Sequence, residues 1–543
     1  MNNNHHLDEK AQGFLVSNIR TSPDASLSDV YLEAKRRLQS IHVKPLDATY
    51  SIYKKSIDAR HRDAIQLVWT VCVKGFFSIK DHEKLINSGF RQLKEPQPRV
   101  EYGQEQLKSR PVVVGSGPAG LFAAYLLALN GYCPHLIERG GSIAERVDKV
   151  AQFINKQTLD VNTNVQFGAG GAGTFSDGKL MTRISDEYIP FILQTFVKFG
   201  APEDILTQAK PHIGTDVLRG VVQSMLDEIE KLGGIVSYHT QMLDIFKNSG
   251  SGGSILTNRG DMPFGALVLA TGHSARDTYK MLIARQFDVK AKPFSVGVRV
   301  EHLQLHIDEA MFGRFAGHPA LGHAEYALSH HTSNGGVYTF CMCPGGEVIA
   351  AASEYDTVVV NGMSHHARDG VNANSAVAVS VRPEQYGSTP QRAIRFQQSI
   401  EEAAFGSAGS SYAVPLVTMG DFMESKAEHE PYGVYPTYMN GQAFQLCLPD
   451  AYLPSFVCAG LREGFAAFSR QLRGFTTPEA IICGPETRTS APVRVMRGED
   501  RTAIGFDDIY PCGEGAGYAG GITSAAADGI ATALAIMKRY APN

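Results

Sequence analysis

Long apolar runs are missing from this 543-residue chain. No window approaches the roughly eighteen consecutive apolar residues of a transmembrane helix, so no membrane span or membrane partner is expected. Charge of one sign is also scarce. The net charge of −4 argues against a dedicated nucleic-acid binder. The eight cysteines are scattered and include no C-x-x-C spacing, which excludes an obvious zinc site or disulfide framework. Free cysteines in a large chain fit a reducing compartment. The opening MNNNHHLDEK has no apolar stretch and does not read as a signal peptide. A cytoplasmic protein is the expectation. What is present is ordinary for globular chains: 43% hydrophobic and 20% charged residues, at a length that suits two to four domains.

The stretch around which the chain is organised is Pro111 to Gly140, PVVVGSGPAGLFAAYLLALNGYCPHLIERG. A valine-rich strand leads into Gly115-Ser-Gly117-Pro118-Ala119-Gly120, a full GxGxxG. An apolar helix follows, closing at Asn130-Gly131, and a second apolar run reaches Glu138. Each part suits a βαβ unit that binds a dinucleotide. Gly115 allows the tight turn, Gly117 admits a pyrophosphate, Gly120 lets helix and strand pack closely, and Glu138 can accept from a ribose. The helix start adds amide donors and partial positive charge.

Residues 1–98 read as a small α+β module, with strands near 14–20, 48–57 and 64–76 and a helix near 26–38 capped by Ser26 or Ser28. They carry fifteen Lys/Arg against eleven Asp/Glu. Within them Lys54, Lys55, Arg60, His61 and Arg62 could meet an anion or partner, although a solvated charged face is the simpler reading. Lys94 to Gln106 reads as a linker. A second formal GxGxxG, Gly168-Ala-Gly170-Gly-Ala-Gly173, has no buried strand before it and no docking helix after it. It reads as a loop whose glycines admit a flat ligand. Thr215–Lys231 is an amphipathic helix, and Phe264 to Gly272 reads as one apolar strand. From about Ala275 the texture turns to strands and loops rich in His, Tyr, Gly and Ser. Strand, glycine-rich turn and helix return at Ile509 to Met537. The layout is therefore α/β: a discontinuous Rossmann-like domain (99–274 and 490–543), an inserted α+β cap domain (275–489), and the N-terminal module (1–98).

Taken together, VVVGSGPAGL…ERG, LVLATGH and IYPCGEGAGYAGGITSAAADG resemble the FAD-binding signature of the glutathione-reductase-like flavoprotein superfamily. The stretches KKSIDARHRD, FGAGGAGTFSDGKL, FCMCPGGEV and NGMSHHARDG further resemble a bacterial family of FAD-dependent dehydrogenases. The resemblance implies FAD, with the pyrophosphate on Gly115, Gly117, Pro118, Ala119 and Gly120 and the ribose on Glu138 beside Arg139. It implies that Thr271 and Gly272 lie near the cofactor. Gly513 and Glu514 would hold the ribityl chain, and Gly521, Ile522 and Thr523 would lie near the ring, with Glu514 in place of the commoner Asp. Arg146, Gly173, Thr174 and Met242 complete the expected cofactor-binding set.

A redox role follows if a helix start at Gly520-Gly521 faces reduced flavin. No second full βαβ unit is read between Gly272 and Gly513, so an NAD(P)H donor would bind transiently, or another donor is used. The expected function is an FAD-dependent oxidoreductase acting on a small-molecule substrate; an oxidase, or a flavin-bound sensor or RNA-associated protein using the basic module, are the competing readings. For chemistry the candidates are Lys179, Cys343 and His366, with Cys341, His365, Arg368, Asp177, Arg183 and Cys512 beside them. Plainer roles compete: buried strand or packing cysteines, solvated loop histidines and lysine, and turn chemistry at Asp177. No metal constellation stands out.

Overall fold

The computed structural model describes residues 12–93, 97–181, 186–247, 252–332 and 335–542. It divides into two compact units: residues 1–97, 202–211 and 308–324 form the first, and 98–201, 212–307 and 325–543 the second.

The first unit is an antiparallel sheet with strand order Leu46–Asp58, Gln66–Phe76, Gln12–Thr21 and Arg91–Gln92. Ser26 caps the Leu27–Ser40 helix, and Asp29 reaches back to the Ser26 amide to complete a capping box. Phe14, Val16, Ile19, Val30, Ala34, Leu38, Val71 and Val73 fill the core. Two segments distant in sequence join this unit because the Leu46–Asp58 strand recruits them. The Lys55 amide donates to the Thr207 carbonyl and the Ala209 amide to the Lys55 carbonyl (2.6 and 2.8 Å). The basic run is more than a solvated face. Lys55 Nζ donates to the Ala320 carbonyl and lies over the Trp69 ring, and Arg62 donates to the Glu309 carbonyl. Lys54, Arg60, His61 and Arg62 remain exposed, with Arg60 paired to Asp58.

The second unit is built on a parallel sheet of five three-residue strands, ordered Ile509–Pro511, Leu267–Leu269, Val112–Val114, His135–Ile137 and Ile235–Ser237. Its central strands are buried Val, Leu and Ile, as a sheet covered on both faces requires. The Pro118–Leu129 helix is buried from Ala119 to Ala128 and packs on the Ile522–Arg539 helix. The apolar run expected as one strand from Phe264 to Gly272 is two. Gly260–Phe264 joins a three-stranded antiparallel sheet, the chain turns at Gly265, and Leu267–Leu269 enters the parallel sheet. A Cβ at Gly265 would lie 2.3 Å from the Ser109 carbonyl oxygen, so only glycine passes there.

A seven-stranded sheet runs in the order Ser329–Thr332, Gly335–Cys343, Asn372–Val381, Phe294–Leu303, Ile481–Glu486, Val414–Thr418 and Phe444–Leu446. The Ser455–Gln471 helix presses Gly460 and Gly464 against Val379 and Val337 of this sheet. Thr389 caps the Pro390–Ser407 helix, with proline at the first position, as its sequence dictates. Among the described residues no helix is long and apolar enough to cross a membrane.

Candidate cofactor site

The loop after Val112–Val114 makes its turn at Gly115, whose φ of +99° is left-handed and whose added Cβ would lie 2.4 Å from the Ala270 carbonyl oxygen. At Gly120 the added Cβ would lie 1.9 Å from the Gly115 carbonyl oxygen, so the helix can start this near the strand only with glycine. Gly117 is the N-cap and offers no side chain to the amides of Ala119 and Gly120, while Pro118 fills the first position.

The Gly168–Gly173 loop is not a second nucleotide fold: it holds a single 3-10 turn, Ala172–Phe175. Its glycines permit approach to the first glycine loop. A Cβ on Gly171 would lie 2.8 Å from Gly117 Cα. Glu138 ties the two loops together. One carboxylate oxygen accepts from the Ser116 amide and hydroxyl (3.0 and 2.7 Å), and the other from the Gly140 and Gly168 amides (both 3.1 Å). At 4% exposure, the expected ribose acceptor is also the tie between the loops. The Gly170 amide donates to the Ser116 hydroxyl, closing the network.

Arg146, expected against the cofactor, has its guanidinium committed elsewhere. It is fully buried and donates to the carbonyls of Asn164, Val165 and Ala169 at 2.7–2.8 Å, with its plane over the Phe175 ring. Burial pulls it down to about 9. It shapes the loop from the inside. Arg139 pairs with Asp277 and lies over Phe167, and Met242 is packed in the core with Val112, Ile137 and Leu267.

The chain's far end closes the same space. The Gly513 amide donates to Asp528 (2.7 Å), and a Cβ on Gly513 would lie 2.6 Å from Ala119 Cβ. A Cβ on Gly515 would lie 2.5 Å from the Gly272 carbonyl oxygen, and one on Gly173 would meet Ile522 at 3.0 Å. Thr523 donates to the Leu180 carbonyl (2.8 Å). Thr271 immediately precedes Gly272 after the Leu267–Leu269 strand. Around Gly272, Gly520 and Gly521, by contrast, nothing lies within 4 Å of an added Cβ. Gly521, N-cap of the last helix, supplies no side-chain cap, and the Thr174 hydroxyl is buried without a partner. Two uncapped helix starts, glycines facing open space and an orphaned hydroxyl fit a long ligand with phosphates at one end. Glu514, half-buried beside Gly513, is pushed up to about 7 by burial, with Lys292 opposing and Cys341 adding to the shift. Burial, with Arg488 and Arg276, pulls His273 down to about 3, so it stays neutral.

A second polar cluster involves the chemical candidates. Asp177 is completely buried and holds Arg368 (2.6 Å), Lys179 (3.1 Å) and the Ser364 hydroxyl. Arg368 also donates to Glu325 (2.6 Å), so its expected role as an anion clamp is taken up internally. Lys179 is no solvated charge: it also donates to the Met342 carbonyl. His366 is likewise held. Its ring stacks on His212 and bonds the Ile213 carbonyl, and its amide donates to Asp216. His365 is exposed, and Arg183 lies outside the described residues. Cys512 is buried under the last helix, where Thr532 donates to its sulfur, and burial pushes its thiol up to about 12.

Two family models match. One described as "FAD-dependent protein, C-terminal domain-like" covers residues 293–489, and one described as "NAD(P)-binding Rossmann-like domain" covers 113–174. An "Uncharacterized protein" of Clostridium beijerinckii is 42% identical over 536 residues, 97% of this chain and 98% of its own. The chain belongs to this family of FAD-dependent proteins. A Rossmann-like match is consistent with FAD, because the βαβ unit holds the adenosine–pyrophosphate half that FAD and NAD(P) share. Among solved structures, CtdE in complex with FAD is similar over 79% of this chain and 84% of its own, at 10% identity and a TM-score of 0.31. Thioredoxin reductase of Lactococcus lactis is similar over 30% of this chain at 18% identity and a TM-score of 0.18, and the match spans 36% of that reductase. The open space described above is walled by the Gly115 to Gly120 and Gly171 to Thr174 loops, by Thr271-Gly272 and by Gly513 to Thr523. Ser116, Gly171, Asp528 and Gly529 were not singled out from sequence. Their ties span from about fifteen to more than four hundred residues and leave no local signature.

Proposed function

We propose that this chain is an FAD-dependent oxidoreductase of the glutathione-reductase-like type, moving a hydride between a reduced donor and an unsaturated or carbonyl-type organic substrate. Bound FAD supplies the hydride chemistry; the chain's residues bind, orient and exclude water. The observation that carries the reading is the convergence of two uncapped helix starts, at Gly117 and Gly521, on one open, glycine-walled space. The first suits the pyrophosphate. The second points amides of Ile522 and Thr523 where negative charge develops on reduction. Glu514, on a longer arm than Asp, would hold the ribityl chain. Residues 275–489 would form the substrate-facing cap, and NAD(P)H would serve as a transient donor, since no second GxGxxG lies between Gly272 and Gly513.

Anaerobic mixing of the FAD-loaded protein with NADH or NADPH tests this. Bleaching of the flavin absorbance by either, followed by recovery with an organic acceptor, is the expected result. Absence of bleaching with both removes the nicotinamide donor, and rapid peroxide formation on re-aeration would identify an oxidase instead.

A further inference from the structure

The expectation for Cys341-Met342-Cys343 rests on a regular strand, in which the two cysteines stand about 6.6 Å apart at Cα, near the outer limit for a disulfide. The strand is not regular there. The pairing register with Asn372–Val381 shifts between Phe340 and Cys343, and Cys341 adopts a left-handed φ of +46°. A non-glycine residue held so costs about 1–2 kcal/mol and persists only where its surroundings fix it. Here two cations do so, the buried Arg299, which donates to the Cys341 carbonyl (3.3 Å), and the half-buried Lys179, which donates to the Met342 carbonyl. The bend folds the second cysteine back on the first, and the Cys343 thiol donates to the Cys341 carbonyl at 3.3 Å.

We propose that Cys341 and Cys343 form a redox-active dithiol that exchanges with a small disulfide-bearing substrate. Cys341 is partly exposed and is the attacking sulfur; Cys343 is buried behind it and resolves. The Cys341 thiolate attacks one sulfur of the substrate, that S–S bond breaks, and one thiolate leaves and is protonated by solvent. Cys343 then gives up its proton and attacks the Cys341 sulfur, expelling the second thiol and closing the Cys341–Cys343 bond. Two cysteine thiols are oxidised and one disulfide is reduced to two thiols.

The surroundings favour a thiolate at 341. Its partnership with the neighbouring Cys343 side chain holds Cys341 below the ordinary thiol range, Lys179 and Arg299 act in the same direction, and burial and Glu486 oppose. Cys343 is pushed up by the same partnership. The other charges nearby are Asp177 and Glu325 against Lys179, and Glu514, itself raised in part by Cys341.

The test is thiol chemistry on the reduced, FAD-loaded protein, so its outcome is separable from flavin turnover. With hydroxyethyl disulfide, peptide mass mapping is expected to show a Cys341–Cys343 bridge, the peptide losing two hydrogens. Cys343→Ser should instead trap a mixed disulfide at Cys341. In the unaltered protein, iodoacetamide at neutral pH should label Cys341 about tenfold faster than the similarly exposed Cys133. Lys179→Met should shrink that advantage and move the labelling profile to higher pH. Equal labelling of Cys341 and Cys133, or no bridge after exchange, would overturn the proposal even if a variant fails to fold.

Discussion

At the residue scale, the site is held by atoms that do several tasks at once. Glu138 accepts four hydrogen bonds and thereby sets the distance between two glycine loops. Arg146 stiffens the second loop through backbone carbonyls, with no carboxylate among its hydrogen-bond partners. Gly120 tests how tight this construction is. With an added Cβ only 1.9 Å from the Gly115 carbonyl oxygen, Gly120→Ala is expected to cost about 2–3 kcal/mol of stability and to lower the flavin-to-protein absorbance ratio of the purified chain. An unchanged ratio would show that the loop can retreat. Glu514 gives a pH signature. Its carboxyl is raised from 4.5 to about 7, so the folded chain keeps a proton that the unfolded chain releases. That contribution to stability is full below the unfolded value and is lost as pH rises through about 7. Urea titrations of FAD-free protein should therefore show the native chain weakening from about pH 5 to 8. Glu514→Gln should flatten the slope and be more stable at the upper end by on the order of 2 kcal/mol.

At the element scale, the cradle depends on how closely two helices lie. A Cβ on Gly529 of the Ile522–Arg539 helix would come 2.1 Å from the Ala119 carbonyl oxygen. Gly529→Val should push this helix off the Pro118–Leu129 helix and empty the site of flavin before it unfolds the chain, read as lost flavin absorbance with retained far-ultraviolet dichroism. Ser26→Ala provides the contrast. Loss of the cap should cost about 1 kcal/mol in the first unit and leave flavin content unchanged. The βαβ unit and its cap residues were legible in the sequence because their signals are local: valines, glycines at fixed offsets, a terminal acid, Ser or Thr before a helix. The tie from Glu138 to Gly168 was not, since hydrogen bonds across thirty residues leave no spacing rule. Nor was the bend at Cys341, where no glycine marks the left-handed residue. The Asn372–Val381 strand, NANSAVAVSV, is buried at nine of ten positions with Ala, Ser and Asn among its residues, and so lacks the apolar alternation that announces a strand.

At the scale of the whole molecule, the first unit is not a bead that can be cut off at residue 98. Its Leu46–Asp58 strand binds the backbone of Thr207 and Ala209, and Lys55, Asp63 and Arg62 bond to Ala320, Arg314 and Glu309. Removing residues 1–97 therefore takes away the sheet on which 202–211 and 308–324 are organised, leaving backbone donors and acceptors without partners. Limited proteolysis of such a truncation should cut first within 202–211 and 308–324, at sites resistant in the full chain. Flavin content is the second readout, because the glycine loops and both helix starts lie outside those segments. Early cleavage with retained flavin is the expected pair of results. Resistance equal to that of the full chain would mean that 202–211 and 308–324 hold their conformation without the sheet.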